Sequence, residues 1–302
     1  MRLATFEANG SPPRSGMIVD DEIVDLTDPV VGLPEDLVDV LALGASALDA
    51  ARSAARSAAK RWALADVRLR APLRHPPSFL ALGKNYADHI AEFDDVRPSE
   101  QLWFTKQTTC VVGPTDDVWV PRVSRQVDYE GELAFVIGRR CRHVPVEHAF
   151  SVIAGFMVVN DVSVRDWQIR SPTMIMGKGF DTHGPSGPWI VTADEIVDPH
   201  ALAIRTWVND ELRQDGNTDQ MITNCWEMVA HLTAAFTLVP GTIVTTGTPS
   251  GVGMGFDPPR WLCAGDTVRV EIEGVGRLEN PVVAEPENTA TASFEAGTIG
   301  GR

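Results

Sequence analysis

Residues 127–138 read VDYEGELAFVIG and place three acidic side chains directly before an apolar run. In an extended strand every second residue points to the same side. Asp128, Glu130 and Glu132 are therefore predicted to share one face of a single strand. The apolar continuation places these carboxylates at the mouth of a core rather than on a solvated edge.

Carboxylates this close together need a cation. Like charges raise one another's pKa unless a metal ion or a basic partner compensates them. Oxygen donors favour Mg²⁺, Mn²⁺ or Ca²⁺ over zinc. The alternative interpretation is an acidic strand end without a ligand, of the kind that any soluble protein can carry.

The segment SVIAGFMVVNDVSVRDWQIR supplies a fourth carboxylate, Asp161. Its β-branched apolar run predicts a buried strand that turns polar at this aspartate. Ser163 and Asp166 resemble a capping pair, which predicts the start of a helix. Arg165 and Gln168 would then lie on one helical face, close behind Asp161. The alternative is a solvated helix start without function.

Six segments of the chain are distinctive. They are LGKNYADHIAEF (82–93), FTKQTTCVVGP (104–114), DYEGELAFVIGR (128–139), NDVSVRDWQ (160–168), GKGFDTHGPSGPW (177–189) and GTPSGVG (247–253). In this order and approximate spacing they resemble the fumarylacetoacetate hydrolase (FAH) family, and the resemblance spans nearly all of residues 76–280. Six ordered matches are hard to obtain by chance.

The resemblance implies a divalent-metal enzyme and a role for individual residues. Glu130, Glu132 and Asp161 would ligate Mg²⁺ or Mn²⁺, and we expect these three acidic side chains to be otherwise uncompensated. Asp128 matches a motif position without being a usual ligand, so it would lie behind the ligands. The other implied site residues are His89 and Glu92 as a catalytic pair on a mobile lid, Lys178 as a catalytic and substrate-binding residue, and Arg165, Gln168 and Thr248 as substrate contacts.

The types and spacing of these residues are by themselves compatible with part of this chemistry. Glu92 follows His89 by three residues, so its carboxylate could hold the imidazole and raise its basicity, as a general base near neutral pH requires. A surface ion pair on a helix has the same spacing. Lys178 stands between two glycines, where backbone can approach a ligand closely, although most loop lysines are merely solvated. GTPSGVGMG lacks the phosphate-loop pattern and Ser250 lacks the nucleophile-elbow pattern, which disfavours nucleotide binding and serine hydrolysis.

The chain is predicted to consist of a small N-terminal α/β domain, residues 1–73, and a catalytic domain, residues 76–302. The first contains a strand pair and two helices, the second of them the alanine-rich segment 46–66. Short β-branched runs separated by Gly and Pro turns predict a β-rich α+β catalytic domain. The resemblance makes this domain a rolled β-sandwich and makes homodimers usual. The tail after Pro281 is predicted to be mobile.

Composition favours a cytoplasmic enzyme. The 302 residues include 26 Lys and Arg against 41 Asp and Glu, a net charge of −15. Such a chain is a poor partner for nucleic acids or anionic membranes. No stretch approaches the roughly eighteen apolar residues of a membrane helix, and MRLATFEANGSPPRSG at the N-terminus lacks the apolar core of a signal peptide.

Together these features predict metal-dependent hydrolysis of an acylpyruvate-like 2,4-dioxo acid. The ion would chelate two substrate oxygens and stabilise the enolate released by C–C cleavage, with Lys178 and Arg165 adding positive charge. His89, oriented by Glu92, would deprotonate the attacking water. The close alternative is a decarboxylase, isomerase or hydratase acting on a related 2-oxo acid, such as oxaloacetate or a 2-hydroxy-diene-dioate. The alternative of another class is a non-catalytic small-molecule binder.

Overall fold

The computed structural model describes residues 1–93 and 96–287, and within them the predicted β-rich α+β fold is confirmed. The strands are β1 (Arg2–Glu7), β2 (Arg14–Val19), β3 (Glu22–Asp25), β4 (Arg61–Ala63), β5 (Arg68–Arg70), β6 (Phe79–Gly83), β7 (Leu102–Thr105), β8 (Val111–Val112), β9 (Val118–Val120), β10 (Val127–Asp128), β11 (Gly131–Ile137), β12 (Ile153–Asn160), β13 (Ser163–Val164), β14 (Gly184–Thr192), β15 (Ala203–Val208), β16 (Glu211–Asn217), β17 (Ile243–Thr245), β18 (Thr267–Ile272) and β19 (Gly276–Ala284). The α-helices are α1 (Leu37–Ala42), α2 (Ala45–Ala54), α3 (Ala87–Glu92), α4 (Arg165–Gln168), α5 (Ile175–Lys178) and α6 (Cys225–Ala235).

Twelve strands form one mixed sheet. Its order is β4-β3-β2-β1-β14-β12-β11-β17-β6-β7, with β5 paired to β1 and β8 paired to β14. The N-terminal strands join this sheet through β1, which pairs with β14. The division into domains 1–73 and 76–302 stays a prediction, and the sheet is continuous across it.

A second sheet covers the centre of the first. Its five strands have the order β16-β15-β18-β19-β9. Leu133 and Phe135 of β11 point into the core between the two sheets, where Val270 of β18 packs. Ala134 and Val136 point to the opposite face, which α1 and α2 cover. Because both faces of β11 are buried, a slip of one residue would exchange them, and the register is fixed.

The carboxylates at positions 128–132 do not lie on one continuous strand, contrary to the expectation from the sequence. β10 ends at Asp128 and β11 begins at Gly131, and the two strands belong to different sheets. A Cβ atom at Gly131 would lie 2.3 Å from Thr206 Oγ1, so the second sheet approaches the backbone more closely than any side chain permits. Because β10 and β11 are separate strands, the alternation of faces is interrupted between Asp128 and Glu132.

The predicted capping pair at Ser163 and Asp166 is also wrong. Pairing with β10 holds Ser163 in the short strand β13, and its hydroxyl donates to the carbonyl of Asp161 at 2.9 Å. Asp166 instead accepts a hydrogen bond from Ser124 Oγ at 2.5 Å. Helix α4 begins at Arg165, directly after this strand.

Two terminal segments also differ from the predictions. The alanine-rich helix α2 ends at Ala54, and β4 follows it because the chain turns back to pair with β3. At the other end, β19 continues to Ala284, so the tail predicted to be mobile begins with ordered strand. Residues 288–302 of that tail lie outside the described residues.

His183 is a buried histidine directly before β14. Its side chain is fully buried, and Nε2 lies 2.8 Å from the carbonyl oxygen of Trp119. Burial lowers the pKa of His183 to about 3. The imidazole of the folded protein therefore stays neutral at pH values just below about 6.5, where the histidine of an unfolded chain begins to take up a proton.

Replacing His183 with Gln is expected to flatten the dependence of stability on pH. Between about pH 6.5 and pH 3 the unfolded chain binds a proton at His183 that the folded chain does not, so stability falls as pH falls. From pH 7.5 to pH 5.0, wild type should lose roughly 2 kcal/mol more unfolding free energy than the variant. Urea unfolding at the two pH values measures this difference, and equal losses would contradict the assignment.

Candidate active site

The pairing of β11 with β12 brings three carboxylates together. Gly131 lies opposite Asn160 in this antiparallel pair, so Glu130 directly precedes one strand where Asp161 directly follows the other. The Asp161 amide donates to the Glu130 carbonyl at 2.8 Å. One oxygen from each of Glu130, Glu132 and Asp161 lies within 4.8 Å of the others. All three side chains are buried.

Three cations compensate this acidic triad (Glu130, Glu132 and Asp161), so the expectation that it lacks basic partners was wrong. Lys178 Nζ donates to Glu130 Oε2 at 2.6 Å and to Asp161 Oδ2 at 2.9 Å. Arg165 Nη1 lies 2.6 Å from Glu130 Oε1. Lys106 Nζ donates to Asp161 Oδ1 at 2.6 Å.

The compensation is uneven within the triad. Burial alone would raise the pKa of Glu130, but Lys178 and Arg165 lower that pKa to about 2. Burial, together with the Asp161 and Glu130 carboxylates, raises the pKa of Glu132 well above its usual range. Glu132 Oε2 accepts a hydrogen bond from the Gly247 amide at 2.9 Å. Among the described residues, Glu130 and Asp161 form ion pairs with basic side chains and Glu132 forms none.

The donor set fits a divalent ion. Three buried carboxylates offer oxygen ligands of the kind that Mg²⁺ and Mn²⁺ prefer. A doubly charged ion would also relieve the repulsion that raises the pKa of Glu132. Glu130, Glu132 and Asp161 are the residues that would hold it.

Asp128 lies outside this group and holds Arg165. Its Oδ2 accepts from Arg165 Nε at 2.8 Å, and its Oδ1 accepts from the Gly253 amide at 2.7 Å. Arg165 Nη1 also donates to Gln168 Oε1 at 3.0 Å, as their spacing on α4 predicts. The Arg165 guanidinium thereby links Asp128 to Glu130.

The predicted lid segment forms α3 and is fastened to a glycine-rich loop. His89 Nδ1 lies 3.0 Å from Glu92 Oε2, and Glu92 Oε1 accepts from the Gly251 amide at 2.9 Å. Asp88 Oδ2 accepts from Ser250 Oγ at 2.8 Å. Gly251 has φ +100° and packs against backbone, which only glycine allows. Two carboxylates of α3 therefore join the lid helix to this loop.

A cavity of about 470 Å³ lies between the lid helix and the triad. Seven of the predicted site residues line it: His89, Glu130, Glu132, Arg165, Gln168, Lys178 and Thr248. The other two, Glu92 and Asp161, are outside this lining and contact His89 and Lys178, respectively. The Thr248 hydroxyl donates to the Gly131 carbonyl at 2.9 Å and is thus used within the fold. The roles of these residues stay predictions.

Lys106 and Asp88 are the residues that sequence reasoning missed. Both stand inside quoted segments, FTKQTTCVVGP and LGKNYADHIAEF, but neither pattern indicates a partner. The partners Asp161 and Ser250 are 55 and 162 residues away. For Lys106, the one available signal was its place as a single basic residue next to the end of an apolar strand.

The fold and the site define a class of protein: a β-rich α+β fold with a buried acidic triad able to hold a divalent ion beside a His–Glu pair. The family model described as fumarylacetoacetate (FAA) hydrolase C-terminal matches residues 78–283, and the chain belongs to this family. The resemblance inferred from the motifs is thereby confirmed.

Three relatives illustrate the range of the family. An oxaloacetate tautomerase of Xenopus laevis, named as mitochondrial, is 41% identical over 288 residues, which cover 94% of this chain and 90% of the relative. The solved fumarylacetoacetate hydrolase of Exiguobacterium antarcticum superposes with a TM-score of 0.83 at 37% identity, covering 94% of this chain and 100% of that one. The maleylpyruvate hydrolase of Sphingobium sp. SYK-6, solved with manganese(II) and pyruvate, has a TM-score of 0.80 at 33% identity, covering 95% and 100%.

Replacing Glu132 with Gln is expected to abolish or strongly weaken Mn²⁺ binding. The substitution removes one ligand charge and keeps an oxygen that can accept from the Gly247 amide. The metal-free variant should unfold at an equal or higher urea concentration than wild type, because a repelled carboxylate is lost. Titration calorimetry measures the binding. Glu35→Gln, at an exposed position, controls for charge alone. Unchanged binding in Glu132→Gln would remove Glu132 from the site.

Proposed function

We propose that this chain is a divalent-metal-dependent enzyme that forms and uses the enolate of a 2-oxo acid. The observation that carries the proposal is the common cavity lined by Glu130 and Glu132 of the acidic triad, Lys178 and His89. A cation-binding group and a proton acceptor thus face the same substrate. The proposed ion is Mg²⁺ or Mn²⁺.

Each group would have a separate task. A divalent ion at the triad would act as a Lewis acid for two adjacent oxygens of the substrate. Lys178 supplies a fixed positive charge at the same place, since burial would lower its pKa but Asp161 and Glu130 outweigh burial and raise it. When Nδ1 of His89 carries a proton toward Glu92, the lone pair on Nε2 is available to accept another. Glu92 is held in turn by the Gly251 amide.

The reaction we favour is hydrolysis of an acylpyruvate-like 2,4-dioxo acid. His89 would take a proton from water as the oxygen adds to the distal carbonyl carbon. The bond between that carbon and C3 would then break, with its electron pair leaving as the enolate of pyruvate. Return of the proton from His89 to C3 gives pyruvate and the matching carboxylic acid.

The shape of the cavity supports a substrate with an apolar acyl group. Its volume of about 470 Å³ exceeds what a four-carbon acid needs. Part of the lining is apolar, and the residues are Phe93, Leu102, Ile169, Pro172, Met174 and Met254. Burial of an alkyl or aryl group against such a lining is favourable.

Tautomerisation of oxaloacetate is the second candidate function. Decarboxylation or hydration of a related 2-oxo acid is a further alternative to hydrolysis. Tautomerisation is favoured by the tautomerase relative, which matches this chain over nearly its whole length. In this reaction His89 would move a proton between C3 and the neighbouring oxygen, and no water would add. The same cavity residues would serve both reactions.

Two further expectations belong to this proposal. Homodimers are usual in the family, and we propose a homodimer here. The cytoplasmic location is proposed from composition alone, while the tautomerase relative is named as mitochondrial. Among the described residues, no helix has the length and apolarity needed to cross a membrane.

Replacing His89 with Ala should lower turnover by about a hundredfold or more and leave Mn²⁺ affinity unchanged, because the histidine moves protons and does not bind the ion. Steady-state kinetics and calorimetry on the same protein measure both quantities. His148→Ala, at an exposed histidine, is the matched control. A loss of only a fewfold in the turnover of the His89→Ala variant would assign His89 to packing.

The two candidate reactions are separated by their substrates. Wild type should hydrolyse acetylpyruvate to pyruvate and acetate with a higher kcat/KM than for interconversion of oxaloacetate tautomers. A preference for oxaloacetate of more than about tenfold, or about 1.4 kcal/mol of transition-state binding, would favour the second candidate. Absence of turnover with any 2-oxo acid in the presence of Mn²⁺ would support a non-catalytic binder.

A further inference from the structure

Lys106 is a buried cation that the proposed reaction does not use. It follows β7 directly, and its side chain is fully buried. Its amide donates to the Phe79 carbonyl at 3.0 Å, which fixes the backbone beside β6. Burying an ammonium is costly unless all its donors are used, so its partners indicate why it is there.

The Lys106 ammonium joins two other segments of the site. It donates to Asp161 Oδ1 at 2.6 Å, to the Val162 carbonyl at 3.3 Å and to the carbonyl of Lys178. An ammonium has three N–H donors, and each has an oxygen partner here. The end of β7, the turn after β12 and the end of α5 are therefore tied to one nitrogen.

These bonds fix the orientation of the Asp161 carboxylate. Oδ1 is engaged by Lys106, whereas Oδ2 lies 2.9 Å from Lys178 Nζ, which also bonds Glu130. One oxygen of Asp161 is thus turned toward Glu130 and the other away from it. Without Lys106, the carboxylate could rotate, and the end of α5 that carries Lys178 would lose a contact.

We propose that Lys106 is a positioning residue that holds Asp161 for metal binding and Lys178 for substrate. This inference rests on the proposed metal site but not on which reaction the enzyme catalyses. Hydrogen-bond partners of ligand side chains typically contribute tenfold to a hundredfold to metal affinity.

Positioning and simple charge have opposite consequences for metal affinity. Lys106 places a positive charge near the triad, so by Coulomb's law its removal should strengthen the binding of a divalent ion. If orientation of Asp161 is the main effect, removal should weaken binding instead. The sign of the change therefore separates the two explanations.

The test compares Mn²⁺ binding in wild type, Lys106→Met and Lys178→Met by calorimetry. Lys106→Met should bind Mn²⁺ about tenfold to a hundredfold more weakly than wild type. Lys178→Met removes an equally buried ammonium that competes for the ligand oxygens, so its affinity should be equal or higher. Weakening by the same factor in both variants would overturn the proposal, as would equal or tighter binding in Lys106→Met.

Two further variants distinguish a specific effect on Mn²⁺ binding from a general loss of stability. Lys106→Arg keeps the positive charge but cannot donate three hydrogen bonds from a single nitrogen, so it should still weaken Mn²⁺ binding; unchanged affinity would overturn the proposal. Arg14→Met breaks the partly buried ion pair between Arg14 and Asp25, which is outside the metal site. It should lower unfolding free energy and leave Mn²⁺ affinity unchanged, and a comparable loss of affinity there would also overturn the proposal. Failure of wild type to bind Mn²⁺ would overturn the proposed function as well.

Discussion

The burial of three carboxylates within 4.8 Å of one another is the constraint on which the rest of this site depends. Their mutual repulsion and their loss of hydration are both unfavourable, so the fold must bring cations to them. Lys106, Lys178 and Arg165 do this from three different segments. Glu132 receives the smallest share of this compensation, and burial together with the Asp161 and Glu130 carboxylates raises its pKa well above its usual range.

The architecture supplies this arrangement through sheet pairing. Antiparallel pairing of β11 with β12 places Glu130 and Asp161 side by side, and burial of both faces of β11 prevents a shift of register. The glycine-rich loop near residue 251 then joins the site to α3, since the Gly251 amide donates to Glu92.

Local sequence patterns predicted much of this structure. The apolar alternation of β11, the buried strand before Asp161 and the His89–Glu92 spacing were all predictable, because each depends on neighbours within four residues. The continuous strand through Asp128 was wrong because Asp128 pairs with Ser163 of β13 in a separate two-stranded sheet, and this partner lies outside the local pattern. The partners of Lys106 could not be predicted, since a residue type alone does not say which distant carboxylate it will meet.

The central claim is that the triad holds one divalent ion with positions open to a 2-oxo acid. Oxalate offers the same pair of adjacent oxygens and cannot be turned over as a 2-oxo acid. Calorimetric titration of oxalate into the protein loaded with one equivalent of Mn²⁺, and into the metal-free protein, tests the claim directly. We expect one oxalate per chain to bind only when Mn²⁺ is present; binding of equal strength without the metal, or none with it, would contradict the claim.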